Sequence, residues 1–161
     1  FDLKEVKGLK RLRISSIEIN ELIPPIIELI RDNDVFAKHL HIPLQSGSDA
    51  VLKVMRRKYN KEEYYNKIQS IRQTVPGIAI TTDIIVGFPD ETEEMFEEMF
   101  EFARKCSFSE MHVFPYSRRS GTKAALIKGQ INGIIKSSNL VLFGKDESIL
   151  FKSSQGRVGD T

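Results

Sequence analysis

Hydrophobic and polar residues along this chain follow two alternating periodicities. Four short runs rich in branched and aromatic residues predict β-strands at residues 10–15, 39–44, 78–86 and 110–115. Apolar residues at helical spacing predict helices between these runs: one that Asn20 caps, one that Ser48 or Asp49 caps, one over residues 61–74 and one that begins at residues 90–92. This alternation predicts parallel strands connected by right-handed helical crossovers.

The number of predicted strands fits about half of a barrel. A complete (β/α)8 barrel takes about 250 residues, whereas this chain has 161 residues. We therefore predict an α/β fold that forms a partial (β/α) TIM-like barrel over residues 1–127. After Ala125 the pattern weakens, with a candidate helix over residues 131–142 and a candidate strand over residues 148–152. The sequence begins with Phe1 rather than methionine, and we expect it to be a segment of a longer protein.

Composition and charge predict a globular protein of the cytoplasm. Hydrophobic residues make up 40% of the chain and charged residues 29%, and the net charge of +2 leaves any nucleic-acid contact local. The single cysteine, Cys106, excludes a disulfide framework and an all-cysteine metal or iron–sulfur site within this chain. No apolar run approaches the roughly 18 residues of a membrane span, and no secretory leader is recognisable, so a cytoplasmic location without membrane contact is expected.

Polar residues follow all four predicted strands. They lie at residues 15–18, 45–48, 87–91 and 116–122. The carboxyl ends of parallel strands meet at one edge of a sheet, where functional groups collect. Each segment alone is typical of an ordinary turn, but four segments in phase favour a shared polar site. Within the third strand, Asp83 shares a face with Thr81 and Ile85, and its carboxylate is expected either to bond a neighbouring strand or to face a ligand.

Three histidines suggest a second kind of site. His39 and His41 share a face of their strand, and with His112 on another strand they could hold zinc in a metal-dependent hydrolase barrel. No carboxylate accompanies them locally in the sequence. Filled positions in the core or the barrel lumen are therefore favoured, and no metal site is predicted.

The remaining chemically active residues are a thiol and two basic groups. Cys106 lies at a helix C-terminus, which disfavours a thiolate, and we interpret it as a packing residue. The basic residues at 56–58 and 118–119 lie beside Tyr59 and Tyr116. They are either a solvated surface or contacts for the phosphates and bases of a nucleic acid.

Four segments carry a family resemblance. They are RLRISSIE at residues 11–18, HLHIPLQSGSDAVLKVMRRKY at 39–59, ITTDIIVGFPDETEEMF at 80–96 and HVFPYSRRSGTKAA at 112–125. As a set they resemble the radical S-adenosylmethionine methylthiotransferases, and within that family the branch that acts on N6-threonylcarbamoyladenosine at position 37 of tRNA. The resemblance implies that residues 128–161 form a linker and the start of a TRAM-like RNA-binding domain. Asn20, Asp90 and Lys123 depart from the family pattern at loop positions.

The resemblance also implies cofactors and site residues. The family uses S-adenosylmethionine and two [4Fe–4S] clusters, whose cysteines this chain lacks, so we expect the isolated segment to be inactive. It would contact tRNA through Arg57, Arg118 and Arg119. The implied cofactor-binding residues are Ser15, Ser16, Glu18, Gln45, Ser46, Gly47, Asp83, Ile85, Gly87 and Phe88. No catalytic residue is assigned.

In this family a 5′-deoxyadenosyl radical removes hydrogen from C2 of adenine, and a methylated sulfur replaces it. A metal-dependent hydrolase and a non-catalytic RNA-binding relative remain as alternatives. Because an open half-barrel leaves strand edges unpaired, we also expect the segment to associate with itself.

Overall fold

The centre of the fold is a four-stranded sheet in which every strand runs parallel to its neighbours. The structure, a computed structural model, describes residues 6–145 and the backbone of residues 151–153. The strands are adjacent in chain order: β1 (His39–His41), β2 (Ala79–Val86), β3 (Glu110–Pro115) and β4 (Phe151–Ser153). The predicted α/β class, with parallel strands as in a partial barrel, is confirmed.

In the described part of the chain, five α-helices connect and cover these strands: α1 (Pro24–Asp32), α2 (Asp49–Val54), α3 (Lys61–Thr74), α4 (Glu93–Cys106) and α5 (Gly133–Lys145). The start of α3 is fixed by a capping box, because Asn60 accepts from the backbone of Glu63 while the Glu63 carboxylate accepts from the backbone of Asn60. Thr92 caps α4 by accepting from the Met95 N–H. The predicted bounds of α3 and β3 are confirmed.

The two faces of the sheet differ in character. Toward the helices, β2 and β3 present fully buried apolar side chains such as Ile84 and Val113. These belong to one core with Tyr64 of α3, Met99 of α4 and Phe143 of α5. On the opposite face the same strands carry Thr81, Asp83, Glu110 and His112, which are in contact with β1 histidines or one another. The predicted period-two alternation of β2 is confirmed.

The N-terminal segment is less regular than predicted. Residues 10–15 form no ladder. Isolated bridges join Leu12 to Phe36, which precedes β1, and Ser16 to His41 in β1. Asn20 does not cap α1 and instead donates to the Lys58 carbonyl. The helix begins later because Pro24 and its neighbour fit the first helical turn, where no N–H partner is needed.

The prediction that a side chain of Ser48 or Asp49 caps α2 is wrong. Ser48 occupies the N-cap position, yet neither it nor Asp49 caps the helix through its side chain. The Asp49 carboxylate accepts from the Lys61 N–H at 2.7 Å and so joins α2 to the start of α3. The Asp49 carboxylate, which the local pattern assigned to the start of α2, therefore binds the backbone of a different helix instead.

The C-terminal part continues the same sheet. The predicted helix over residues 131–142 is observed as α5, which packs against β2 and β3. β4 pairs with β3, and residues 148–150 of the predicted strand lie outside the described residues. The division of the chain at residue 127 stays a prediction. Within the described residues, no helix is both long and apolar enough to span a membrane.

Candidate functional site

A polar network crosses the face of the sheet opposite the helices. His41 on β1, Asp83 on β2 and His112 on β3 converge there, with Asp83 at 3.2 Å from His41 Nε2 and 3.4 Å from His112 Nδ1. Strand register explains the convergence, because Asp83 and His112 are direct Cα partners and His41 lies opposite Thr81, two residues before Asp83. The expectation that Asp83 bonds a neighbouring strand is confirmed.

Further groups extend this network at both ends. The Thr81 hydroxyl contacts His41 Nδ1 at 2.9 Å and His39 Nε2 at 3.1 Å, and Arg13 contacts the His39 ring. At the other end Glu110 Oε1 lies 3.0 Å from His112 Nε2. The three-histidine zinc set is therefore not assembled, since His39 faces Thr81 and Arg13 whereas His41 and His112 share Asp83. No carboxylate accompanies His39 and His41 locally in the sequence, but the fold brings the Asp83 carboxylate to His41 and His112.

Next to the network lies a cavity of about 700 Å³ at the carboxyl ends of β2 and β3. Apolar and polar groups both contribute to its wall, which is formed by Gln45, Asp83, Ile85, Phe114, Pro115, Tyr116, Ser117, Arg119, Thr122 and Ala124. The structure thus brings together three of the predicted cofactor residues and one predicted tRNA-contacting arginine. Depressions of this size that combine apolar walls with a few polar groups suit small ligands.

The turn after β1 places one residue in the cavity and turns its neighbours away. Gln45 adopts a left-handed backbone (φ 67°), and its N–H and carbonyl bond Asp83 and Ile85 of β2. Ser46 is fully buried, and a Cβ on Gly47 would come within 2.9 Å of Phe102 Cβ in α4. Ser46 and Gly47 are therefore not among the residues that line the cavity, and Gly47 lies directly against α4.

The turn after β2 surrounds the buried carboxylate of Glu91, which lies in the polar segment 87–91 but is not among the predicted cofactor-binding residues. The Gly87 N–H donates to Glu91 Oε2 at 2.6 Å, and burial raises the pKa of Glu91 to about 7. Gly87 needs its left-handed backbone (φ 67°), and a Cβ there would meet Lys136 of α5. Asp90, where the family pattern has glycine, also adopts a left-handed backbone (φ 63°), which aspartate tolerates better than most residues. The turn geometry thus survives the substitution.

The aromatic residues near this turn have structural partners. Phe88 is buried and packs edge-on against Tyr116, with ring centroids 5.2 Å apart, and Lys136 donates to the Tyr116 carbonyl. Tyr59 is also buried, and its hydroxyl donates to the Leu44 carbonyl at 3.0 Å. The expectation that Tyr59 offers a stacking surface is wrong, because the strand end binds it inside the core.

The other predicted contacts lie on the rim or outside the cavity. Ser15 and Ser16 are exposed, and Glu18 pairs with Arg57 at 2.6 Å, so residues predicted for two different ligands bind each other. Arg118 donates to the Ala125 carbonyl at 3.1 Å, which leaves Arg119 as the predicted arginine in the cavity wall. Thr81 and Glu110 were missed, although period-two counting places each on the same strand face as a selected residue.

Cys106 is a core residue, as predicted. Its side chain is fully buried in α4, and burial raises the pKa of the thiol to about 12. A thiol in this state is a poor metal ligand. The chain has no other cysteine, so it cannot supply the ligands of a [4Fe–4S] cluster.

Comparison with known proteins shows the family of this chain. The sequence profile of the Radical SAM superfamily matches residues 1–103. The chain belongs to the radical SAM superfamily. It is 47% identical over 135 residues to the threonylcarbamoyladenosine tRNA methylthiotransferase MtaB of Bacillus subtilis. It is 41% identical over 140 residues to the tRNA-2-methylthio-N(6)-dimethylallyladenosine synthase of Thermoanaerobacter pseudethanolicus. These matches cover 84% and 87% of this chain, but in each case 30% of the relative.

The fold is shared with solved structures, one of which is a radical SAM enzyme. Coproporphyrinogen III oxidase (HemN) of Escherichia coli superposes with a TM-score of 0.68 at 18% identity, over 82% of this chain and 30% of the other. The Elp3 protein of Methanocaldococcus infernus superposes with a TM-score of 0.69 at 15% identity, over 93% of this chain and 36% of the other. At such identities the likeness shows the fold alone. This radical SAM chain thus has the fold of part of these structures, and none of the relatives named above supports the hydrolase alternative.

Proposed function

We propose that this chain is part of an enzyme that adds a methylthio group to C2 of N6-threonylcarbamoyladenosine at position 37 of tRNA. The observation that carries the proposal is the 47% identity to a threonylcarbamoyladenosine tRNA methylthiotransferase. The identity of 41% to a dimethylallyladenosine synthase supports the same reaction on a different adenosine. Membership in the radical SAM superfamily supports the reaction class.

The cavity wall favours the more polar of the two substrates. A threonylcarbamoyl group carries a carboxylate, a hydroxyl, a carbonyl and an N–H group, whereas a dimethylallyl group is a hydrocarbon. Arg119, Gln45 and Thr122 line the cavity and offer a cation, an amide and a hydroxyl to such a substituent. A purely apolar substituent would form no hydrogen bond with the Arg119 guanidinium or the Gln45 amide, whereas a carboxylate would pair with the guanidinium.

The same wall fits S-adenosylmethionine. Ile85 and Phe114 provide an apolar surface for a flat base, and Gln45 and Asp83 provide polar groups beside it. The Tyr116 hydroxyl is buried without a hydrogen-bond partner among the described residues. When bound, S-adenosylmethionine supplies the radical and the methyl group of this reaction class. The [4Fe–4S] clusters do not fit this chain, because its cysteine is buried in the core.

This chain would bind, orient and shield the reactants. His41 and His112 hold the Asp83 carboxylate from two sides, so its direction relative to the cavity is fixed by three strands. Ile85 and Phe114 would keep water from one side of the bound base. These contributions are geometric, as expected where the cofactor performs the chemistry.

The remaining predictions belong to the same proposal. Residues 1–127 would form the later part of the barrel, and residues 128–161 would lead into a TRAM-like domain. Arg57, Arg118 and Arg119 would face tRNA, and the protein would act in the cytoplasm. The unpaired parts of the sheet edge would favour self-association of the isolated chain.

The proposal is tested by expressing the complete gene in a bacterium that lacks its own tRNA methylthiotransferases. Nucleosides from total tRNA are then separated and identified by mass spectrometry. The proposal expects 2-methylthio-N6-threonylcarbamoyladenosine, and an Arg119→Gln variant should reduce it more than Arg31→Gln, an exposed arginine that pairs with Asp32. Appearance of the dimethylallyl product instead would overturn the substrate. Absence of both products, with tRNA binding retained, would favour the non-catalytic RNA-binding alternative.

A further inference from the structure

We propose that His41, Asp83 and His112 form a binding site for one divalent transition-metal ion, with Zn²⁺ as the reference ion. The site goes beyond the proposed methylthiotransferase function and does not depend on it. It also differs from the three-histidine set, because Asp83 takes the place of His39. One ligand atom from each of the three side chains lies within 4.8 Å of the other two.

The distances suit a metal ion with nitrogen and oxygen ligands. Zinc binds these atoms at about 2.0–2.2 Å in tetrahedral geometry, which separates two ligand atoms by roughly 3.3–3.6 Å. Asp83 Oδ2 lies 3.2 Å from His41 Nε2, and Asp83 Oδ1 lies 3.4 Å from His112 Nδ1. Small side-chain rotations would therefore convert these two contacts into three bonds to a central ion.

The outer hydrogen bonds are those of metal-binding histidines. Such histidines donate their second ring nitrogen to an oxygen, which fixes the tautomer and the ring orientation. Here His41 Nδ1 lies 2.9 Å from the Thr81 hydroxyl, and His112 Nε2 lies 3.0 Å from the Glu110 carboxylate. With protons on these outer nitrogens, His41 Nε2 and His112 Nδ1 present lone pairs to the same point. Both rings thus have the partner that a ligating histidine requires.

The sheet fixes the ligands but leaves one side open. The three residues lie on adjacent parallel strands, and Asp83 and His112 are register partners. Their side chains are 15%, 28% and 37% exposed for His41, Asp83 and His112. The cavity also reaches Asp83. A fourth ligand, water or a group from a bound molecule, can therefore approach from the cavity, as in zinc sites that keep an open position.

Charge separates this set from the His39 alternative. The Arg13 guanidinium lies 3.0 Å from His39 Nε2, and a second cation there would be repelled. Among the side chains that the structure describes, the charged groups shown in contact with His41 and His112 are the carboxylates of Asp83 and Glu110. A divalent cation at this point would meet two carboxylates, whereas at His39 it would meet a guanidinium.

The test is a titration of the metal-free 161-residue chain with Zn²⁺ by calorimetry, and with Co²⁺ by visible absorption. We expect one equivalent of either ion, with the strong visible bands of low-coordinate Co²⁺. His112→Ala and Asp83→Asn should each weaken Zn²⁺ binding at least about 100-fold, and Glu110→Gln about 10- to 100-fold. The matched control is His39→Ala, on the same face of the sheet, which should bind Zn²⁺ like the unsubstituted chain.

Three results would overturn the site. They are less than stoichiometric Zn²⁺ binding by the unsubstituted chain, binding unchanged in both Asp83→Asn and His112→Ala, or equal loss in His39→Ala. Circular dichroism of each metal-free variant checks that it folds, and Asp83→Asn preserves the shape of the side chain if His112→Ala does not. The nucleoside assay measures a different property, so a failure of the methylthiolation proposal would leave these results interpretable.

Discussion

Gly47 provides a test of whether helix packing or ligand binding requires a glycine after β1. The resemblance assigns this residue to the cofactor, whereas the structure places it against α4. A Cβ built on Gly47 would lie 2.9 Å from Phe102 Cβ and 3.0 Å from both Cα and the carbonyl oxygen of Met99. Because two of these atoms are backbone, a side-chain rotation cannot relieve the contact, and α4 must move.

The cost of Gly47→Ala follows from this geometry. Adding a methyl group to a filled interior costs about 1–3 kcal/mol of unfolding free energy. For a domain of this size each kcal/mol lowers the melting temperature by roughly 2–4 °C, so the expected decrease is about 2–12 °C. The matched control is Gly133→Ala at the start of α5, where a Cβ would meet nothing within 4 Å. The control should be neutral or stabilising by up to about 1 kcal/mol, since alanine favours helix.

Urea denaturation followed by circular dichroism measures both changes. A lower midpoint in Gly47→Ala with an unchanged or higher midpoint in Gly133→Ala agrees with the packing explanation. An unchanged midpoint in Gly47→Ala would refute it. Retained stability together with lost binding of S-adenosylmethionine by the complete protein would support the cofactor role instead.

Three further predictions concern buried polar groups. Thr82→Val should lower the free energy of unfolding in urea by about 1–3 kcal/mol, because Thr82 Oγ1 accepts from the buried Leu44 N–H and donates to the Ile42 carbonyl. The control is Ser70→Ala on an exposed helix turn, and a smaller loss in Thr82→Val than in this control would contradict the prediction. The pKa of Glu91, raised to about 7 by burial, means that the folded protein holds a proton that the unfolded chain loses above about pH 4.5. Stability should therefore fall as the pH rises from about 4.5 to 7, and Glu91→Gln should flatten that slope; an equal slope in both proteins would count against it. Cys106, buried with its pKa raised to about 12, should react with a thiol reagent only after denaturation, and fast labelling of the folded chain would disprove its core position.

The regular elements follow closely from local pattern. Residues 61–74 and 110–115 were predicted with the bounds that the structure shows, because the capping box of the helix and the alternation of half-buried with buried residues in the strand are both encoded within a few residues. The N-terminal segment differs. Its alternation of charged and branched residues is typical of a strand, yet it forms isolated bridges because the partners at Phe36 and His41 lie in irregular or short segments. Strand formation there depends on a neighbour, which no local pattern specifies.

In the candidate site, too, some features follow from the local sequence and others only from the tertiary structure. The sequence alone determines the parallel α/β fold and the polar turns at the strand ends. It also determines the period-two alternation that assigns Asp83 to one face of β2 and His112 to one face of β3. It does not determine strand register, and register is what sets Asp83 opposite His112 and within reach of His41. The burial of Ser46, the pairing of Glu18 with Arg57 and the raised pKa of Glu91 are likewise consequences of packing between distant segments. Local sequence fixes which side chains a strand presents, whereas only the tertiary structure decides which of them meet.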